Sequence, residues 1–214
     1  MTQDKTTSTI RRQQIIEAAR KIIINDGSEH VTIKGIAKEV GISEAAIYRY
    51  FKQKRDILLL LVDDIGDSLL TDIEDAGSRA RIPNRLDRIL QKHISAIEQR
   101  RGISFQVIAE IISLGDKNLN SRVSNILSKY ITELKSLLDD GVEKGEFRPD
   151  LDTESSATLL FCMIQGIVNL WYLSDYNFNL KRRYETMWKT FQKTIVADED
   201  NPVIIPPTFG YPPK

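Results

Sequence analysis

One cysteine, two histidines and two tryptophans are all that 214 residues hold of those types, and the formal net charge is zero. A lone Cys162 excludes an intrachain disulfide framework. Its place in the apolar run LLFCMIQGIV predicts a small core residue rather than a nucleophile. Histidine, cysteine and carboxylates nowhere gather at metal-ligand spacing, so neither a metal nor a cofactor is expected. A glycine-rich phosphate loop and a nucleophile set beside a base are also missing. The adjacent acids Asp63-Asp64, Asp139-Asp140 and Asp198-Glu199-Asp200 point to different sides of a helix and read as solvated charge, so no catalytic residue is assigned. The first residues, MTQDKTTSTIRR, lack an apolar signal segment and read as a short polar arm, which predicts a cytoplasmic protein. The longest apolar stretch, Ala157 to Leu173, spans 17 residues and is interrupted by Thr158, Gln165, Gly166 and Asn169. That is shorter than the roughly 20 residues of a membrane span, so a buried helix is expected and no membrane partner.

What is present is helical periodicity from end to end. Thr32 to Lys54, TIKGIAKEVGISEAAIYRYFKQK, reads as two short helices joined by a tight turn at Gly41, with Ser43 able to cap the second. Ile33, Ile36, Ala37 and Val40 line one face of the first helix, and Ile47 and Phe51 turn inward from the second. Polar, small and basic residues are left outside. Lys and Arg neutralise phosphates, hydroxyls donate to phosphate oxygens, Glu44 can accept from a cytosine amino group, and Ala45 permits close approach to base edges. Periodicity alone fits an inert amphipathic pair equally well. The charge distribution does not: residues 1–60 carry 11 Lys and Arg against 7 Asp and Glu, leaving an acidic remainder.

Further along, a first helix is predicted over Thr9 to Asp26, ended by Gly27, and a fourth from the reader to about Ala76. A break at Gly77 to Asn84 contains Pro83. Helices follow over Arg85 to Gln99, Ile103 to Leu114, Leu119 to Glu143, Thr153 to Ser174 and Leu180 to Val196, the last two separated from the rest by the loop Gly145 to Asp152. The Thr153 to Ser174 helix is apolar nearly all round and needs cover on every side, so a homodimer is expected. The fold class is all-α, about nine helices: a three-helix helix-turn-helix domain at 1–55, a helical dimerisation domain at 56–197, to which the resemblance described next adds effector binding, and a Pro-rich tail at 198–214.

Ile15, Ala18, Ala19, Gly27, Thr32, Ile36, Ala37, Gly41, Ser43, Ile47-Tyr48, Phe51 and Lys54 together resemble the DNA-binding domain of the TetR family of bacterial transcriptional regulators, over about residues 10–60. The resemblance implies that Thr32, Lys34, Ser43, Glu44, Ala45, Tyr48, Arg49, Tyr50 and Lys54 meet double-stranded operator DNA. Tyr50 stands where the family often has histidine. Gly35 lies inside the first reader helix at a cost of about 1 kcal/mol relative to Ala, which packing or close DNA approach must offset. The resemblance also implies dimerisation through the last two long helices and a small-molecule effector enclosed by the middle ones. Phe105, Ile108, Ile112, Tyr130, Phe161, Met163, Gln165 and Trp171 are the candidate lining, which favours an apolar effector such as an acyl chain, an aromatic or a hydrophobic drug. His93, the one histidine among those helices, reads as structural. The expected function is a ligand-responsive regulator, a repressor released from its operator. The alternatives are a ligand-insensitive regulator and an all-helical interaction module.

Overall fold

The structure, a computed structural model, describes residues 2–74 and 80–196. The tail at 198–214, the end of the fourth helix near Ala76 and the start of the break at Gly77 lie outside the described residues. Those described form nine α-helices: α1 (Thr2–Asp26), α2 (Ile33–Val40), α3 (Glu44–Tyr48), α4 (Lys54–Glu74), α5 (Ile82–Gln99), α6 (Ile103–Leu114), α7 (Lys117–Glu143), α8 (Thr153–Leu173) and α9 (Leu180–Ile195). A three-helix head is therefore followed by a larger helical body.

Side-chain caps set most of the boundaries. Thr32 Oγ1 accepts from the Gly35 N–H (2.9 Å) and starts α2, and Ser43 Oγ accepts from the Ala46 N–H (3.2 Å) and starts α3. Asp116 takes the Asn118 and Leu119 N–H groups at 2.9 and 3.0 Å, which moves the start of α7 to Lys117. Asp152 and Asn179 do the same for α8 and α9. Three expectations need correction. The polar N-terminal arm is helical from Thr2, because TQDKTTST contains neither Gly nor Pro to stop α1. Pro83 lies in the first turn of α5, where its missing N–H has no helical partner to lose. Helix α3 stops at Tyr48, although Phe51 still packs inward from the turn that follows.

Two apolar cores share α4. The first is built by α1, α2 and α3 with Ile57, Leu58, Leu61 and Val62 of α4, and is completed by Ile103, Val107 and Ile111 of α6 and Leu119 and Val123 of α7. The second joins Leu69 and Ile73 of α4 to α5, α7, α8 and α9, while Ile65 packs against both. Ion pairs add register along α4: Arg55 with Asp116 (3.2 Å), Asp63 with Arg122 (2.6 Å) and Asp64 with Arg20. Asp63 and Asp64 were expected to be solvated charge; they are instead half-buried and each is paired with an arginine from a different helix.

Helix α8 is long and apolar enough, by length and composition, to cross a membrane, because it takes in residues 153–156 as well as the apolar stretch. One face, Ala157, Leu160, Ile164, Ile167, Val168 and Trp171, is buried in the second core. The other is uncovered: Leu159, Cys162, Gly166, Leu170 and Leu173 are exposed at spacings of three and four. Cys162 is therefore not a core residue. The helical period places it with Leu159 and Gly166, one step round from Leu160 and Ile164.

The 145–152 loop closes the body. Arg148 N–H donates to Ile195 O (3.0 Å), Glu146 accepts from the Ile82 N–H (2.5 Å), and an edge of the buried Phe147 ring abuts Gly141 of α7. A methyl at Gly141 would sit 2.1 Å from that ring. Gly141→Ala is accordingly expected to destabilise by about 1–3 kcal/mol through overpacking, although Ala has the better helix propensity. Urea unfolding of the variant against the parent chain checks the sign.

Candidate nucleic-acid interface and effector cavity

In the α2–α3 pair the apolar side chains are spent on the core and the polar ones are left to solvent. Ile36, Ala37 and Ile47 are buried, whereas Thr32, Lys34, Ser43, Glu44, Ala45, Tyr48 and Arg49 are exposed, Tyr48 by 52%. Gly41, at φ 75° and ψ 36°, makes the left-handed turn that brings the two helices together. Capping does not silence Thr32 or Ser43. Each hydroxyl accepts a backbone N–H and keeps its own proton to donate to a phosphate. Gly35 is explained by packing: a Cβ there would meet the Thr32 cap oxygen at 3.1 Å and Ile22 at 3.6 Å.

The remaining two expected DNA residues are placed differently. Tyr50 is half-buried against the first core. Lys54 turns away from the exposed face: its Nζ donates to Glu110 Oε1 of α6 (2.7 Å) and to the Ser28 carbonyl (3.1 Å). Glu110 was not legible as a partner, since it lies 56 residues away and only the packing of α6 on the reader brings it near.

Of the eight residues expected to line one effector pocket, Tyr130 and Trp171 lie in the second core with Phe105, Phe161 and Met163 packed against it, while Ile108 and Ile112 lie elsewhere. Tyr130 is fully buried and meets Phe161 edge-on with ring centroids 6.2 Å apart, and Phe105 and Gln165 are half-buried. Ile108 belongs to the first core instead. Ile112 is 66% exposed, where α6 has run past the body. Met163 faces an outer groove between α8 and α9, and Trp171 is held by its indole N–H on Phe178 O (3.0 Å). Apolar residues must fill a bundle wherever they fall, so apolarity alone does not distinguish a lining from a core.

A small, partly open cavity does lie between α4, α5 and α6. It measures about 30 Å³ and is lined by Ile65, Ser68, Leu69, His93, Ala96, Ile97, Arg100, Ile103 and Ser104. His93 and Arg100 stand two turns apart on α5, roughly 10 Å along the helix. Arg100 reaches Ser68 Oγ at 3.5 Å, and His93 Nδ1 lies 3.1 Å from the Tyr130 hydroxyl. Desolvation lowers the His93 pKa to about 4, so the imidazole is neutral at physiological pH. Burial also pushes the Tyr184 phenol up, with Asp87 and Tyr130 adding to it. The α5 spacing of a histidine and an arginine at i and i+7 was the available signal for this slot. Among the described residues, no group of three or more His, Cys, Asp or Glu side chains is placed to hold a metal ion.

A capped helix-turn-helix mounted on a larger helical body defines a class, the DNA-binding one-component regulators. The model for bacterial regulatory proteins of the tetR family matches residues 15–61, and that for the C-terminal region of YsiA-like proteins matches residues 61–194. The chain belongs to the TetR family of bacterial transcriptional regulators; it is a ligand-responsive DNA-binding protein and not an enzyme. It is 28% identical over 168 residues to the fatty acid metabolism regulator protein of Bacillus subtilis, covering 78% of this chain and 86% of that protein. The crystal structure of the transcriptional regulator FadR from Bacillus subtilis in complex with stearoyl-CoA superposes with a TM-score of 0.73 at 26% identity, over 86% of this chain and 98% of that one. A nucleoid occlusion factor SlmA from Shewanella amazonensis is 27% identical over 190 residues, covering 87% and 95% of the two chains.

The neutral His93 carries a pH dependence. Its folded pKa lies below the unfolded value of about 6.5, so the unfolded chain binds the extra proton. The stability it withholds is absent above pH ~6.5 and grows as pH falls towards 4, reaching about 3 kcal/mol. His93→Gln should flatten the fall in urea midpoint between pH 7 and pH 4.5 relative to the parent chain. Parallel pH profiles for the two proteins would assign the acid lability to other groups.

Proposed function

We propose that this protein is a homodimeric repressor that reads operator DNA with the exposed face of α2 and α3 and leaves it when a long-chain acyl thioester, an acyl-CoA, enters between α4, α5 and α6. The carrying observation is the sorting of side chains in the α2–α3 pair: every inward position is apolar, and the outward ones are hydroxyl, small, acidic or basic groups suited to base edges and phosphates. Thr32, Lys34, Ser43, Glu44, Ala45, Tyr48 and Arg49 form this surface, and Lys54 joins it when its present partner lets go. As a functional division, 1–55 reads and 56–197 senses and pairs. Packing does not respect that line, because α6 and α7 complete the reader's core.

The effector class is supported by the apolar second core, by the cationic Arg100 at one end of the slot, and by the stearoyl-CoA bound to a relative of 26% identity. A cavity of about 30 Å³ holds on the order of one water molecule, so an acyl chain must part α4 from α5 and α6 to enter. Binding and movement of α4 are then one event. The outer face of α8 supports the dimer: Leu159, Cys162, Gly166, Leu170 and Leu173 form an apolar stripe flanking a groove of about 690 Å³ with Phe178, Arg183 and Met187. Gly166, with open space where a Cβ would stand, lets a second helix approach closely. Such a repressor works in the cytoplasm, on the nucleoid.

Two measurements test this. A labelled duplex from the region upstream of the chain's own coding sequence should be shifted by the protein and released by stearoyl-CoA but not by free CoA. Tyr48→Ala with Arg49→Ala should weaken the shift at least about tenfold. A duplex that stays bound at saturating stearoyl-CoA would refute the acyl effector while leaving the reader intact. In sedimentation, Leu170→Asp should convert a dimer to monomers, because it sets two like charges facing each other across the two-fold axis; an undisturbed dimer would move the interface elsewhere.

A further inference from the structure

Helix α6 packs along the reader through Ile103, Val107 and Ile111, and its first residues also border the small cavity. Ile103 and Ser104 line the cavity, and Glu110 stands six residues on, roughly 9 Å along the same rigid helix. Glu110 closes a small polar clamp there. Its Oε1 takes the Lys54 ammonium at 2.7 Å, its Oε2 accepts from the Ser28 hydroxyl at 3.4 Å, and the Ser28 carbonyl accepts from the same ammonium at 3.1 Å. Lys54 retains 28% of its side-chain exposure and Glu110 17%, so the pair lies at the surface seam and not in a core. The next cation, Arg55, is held in the same way by Asp116, the cap of α7. The body thus supplies acids to both basic residues with which α4 begins.

We propose that Glu110 is a positioning residue for DNA binding, which competes with an operator phosphate for Lys54. This rests on the DNA-reading function proposed above. While the clamp is closed, Lys54 and Glu110 sum to zero charge, and the carboxylate repels any phosphate brought near. Lys54 then contributes no counterion release. When α6 draws Glu110 back, a full positive charge is uncovered six positions after Tyr48, on the segment that leaves the recognition helix.

The experiment is a titration of a fluorescein-labelled upstream duplex by anisotropy, over about 50–300 mM salt, with melting curves confirming that each variant is folded. Glu110→Gln should bind about threefold to tenfold tighter near 100 mM salt, with a log K against log salt slope steeper by about 0.9, the value for one added phosphate contact. Glu110→Asp keeps the charge but withdraws it by one methylene and should show part of the gain, which a mere change in net charge cannot produce. In the Lys54→Gln background the Glu110→Gln gain should vanish. Parent-like affinity and slope in folded Glu110→Gln, or a gain that survives Lys54→Gln, would overturn the competition. A parent chain that binds no duplex at all would instead overturn the DNA-reading function beneath it.

Discussion

Everything in this molecule depends on α4 belonging to two cores at once. Its first half, Ile57 to Val62, is buried among the reader helices, and its second half, Leu69 and Ile73, is buried in the body, with Ile65 touching both. A 21-residue helix is about 30 Å long and does not bend cheaply, so it cannot shift at one end alone. Cores packed at crystal-like density respond to such a shift by changing arrangement, not by yielding smoothly. A change of less than a turn in how α5 and α6 hold α4 must therefore appear as a change in where α2 and α3 stand.

The polar contacts around α4 are weak enough to permit that. Arg55–Asp116, Asp63–Arg122 and Lys54–Glu110 are partly solvated pairs, each worth on the order of 1 kcal/mol or less. They set register without locking it. The firm ties are elsewhere, in the body, where Phe147 against Gly141 and the Arg148 link to Ile195 join α7 to the end of α9. At the junction with the reader the ion pairs are light beside the apolar packing of α6 and α7 in the first core.

How much of this was legible follows from which signals are local. Helix starts at Ser43 and Asp152 and the turn at Gly41 were readable because a cap or a left-handed residue acts within a few positions of itself. The outward placing of Thr32, Lys34, Ser43, Glu44, Ala45, Tyr48 and Arg49 was readable because a two-helix unit has one inside. Lys54 misled, since its sequence neighbours are basic and polar, and its partner comes from α6 by tertiary packing. The effector lining misled for a related reason. Phe105, Ile112 and Trp171 are apolar at helical spacing, which serves core, surface and pocket alike, whereas the cavity is marked by its few polar residues, His93, Arg100, Ser68 and Ser104. Cys162 was placed inward by composition and outward by phase.

A sensor built this way gains coupling from having almost no empty site. A ligand shifts a two-state equilibrium only by the difference in its affinity for the two states. A large preformed pocket binds equally well in both and moves nothing. Under the proposed acyl effector, a slot of about 30 Å³ would admit a long chain only with α4 displaced, and nearly all of the binding energy would be differential. The cost of opening is taken from affinity, and the couplings of 1–3 kcal/mol common in allosteric proteins are the scale on which that trade is made. The half-exposed pairs at the reader seam lie within the same range, so a single carboxylate in reach of Lys54 can matter to the outcome.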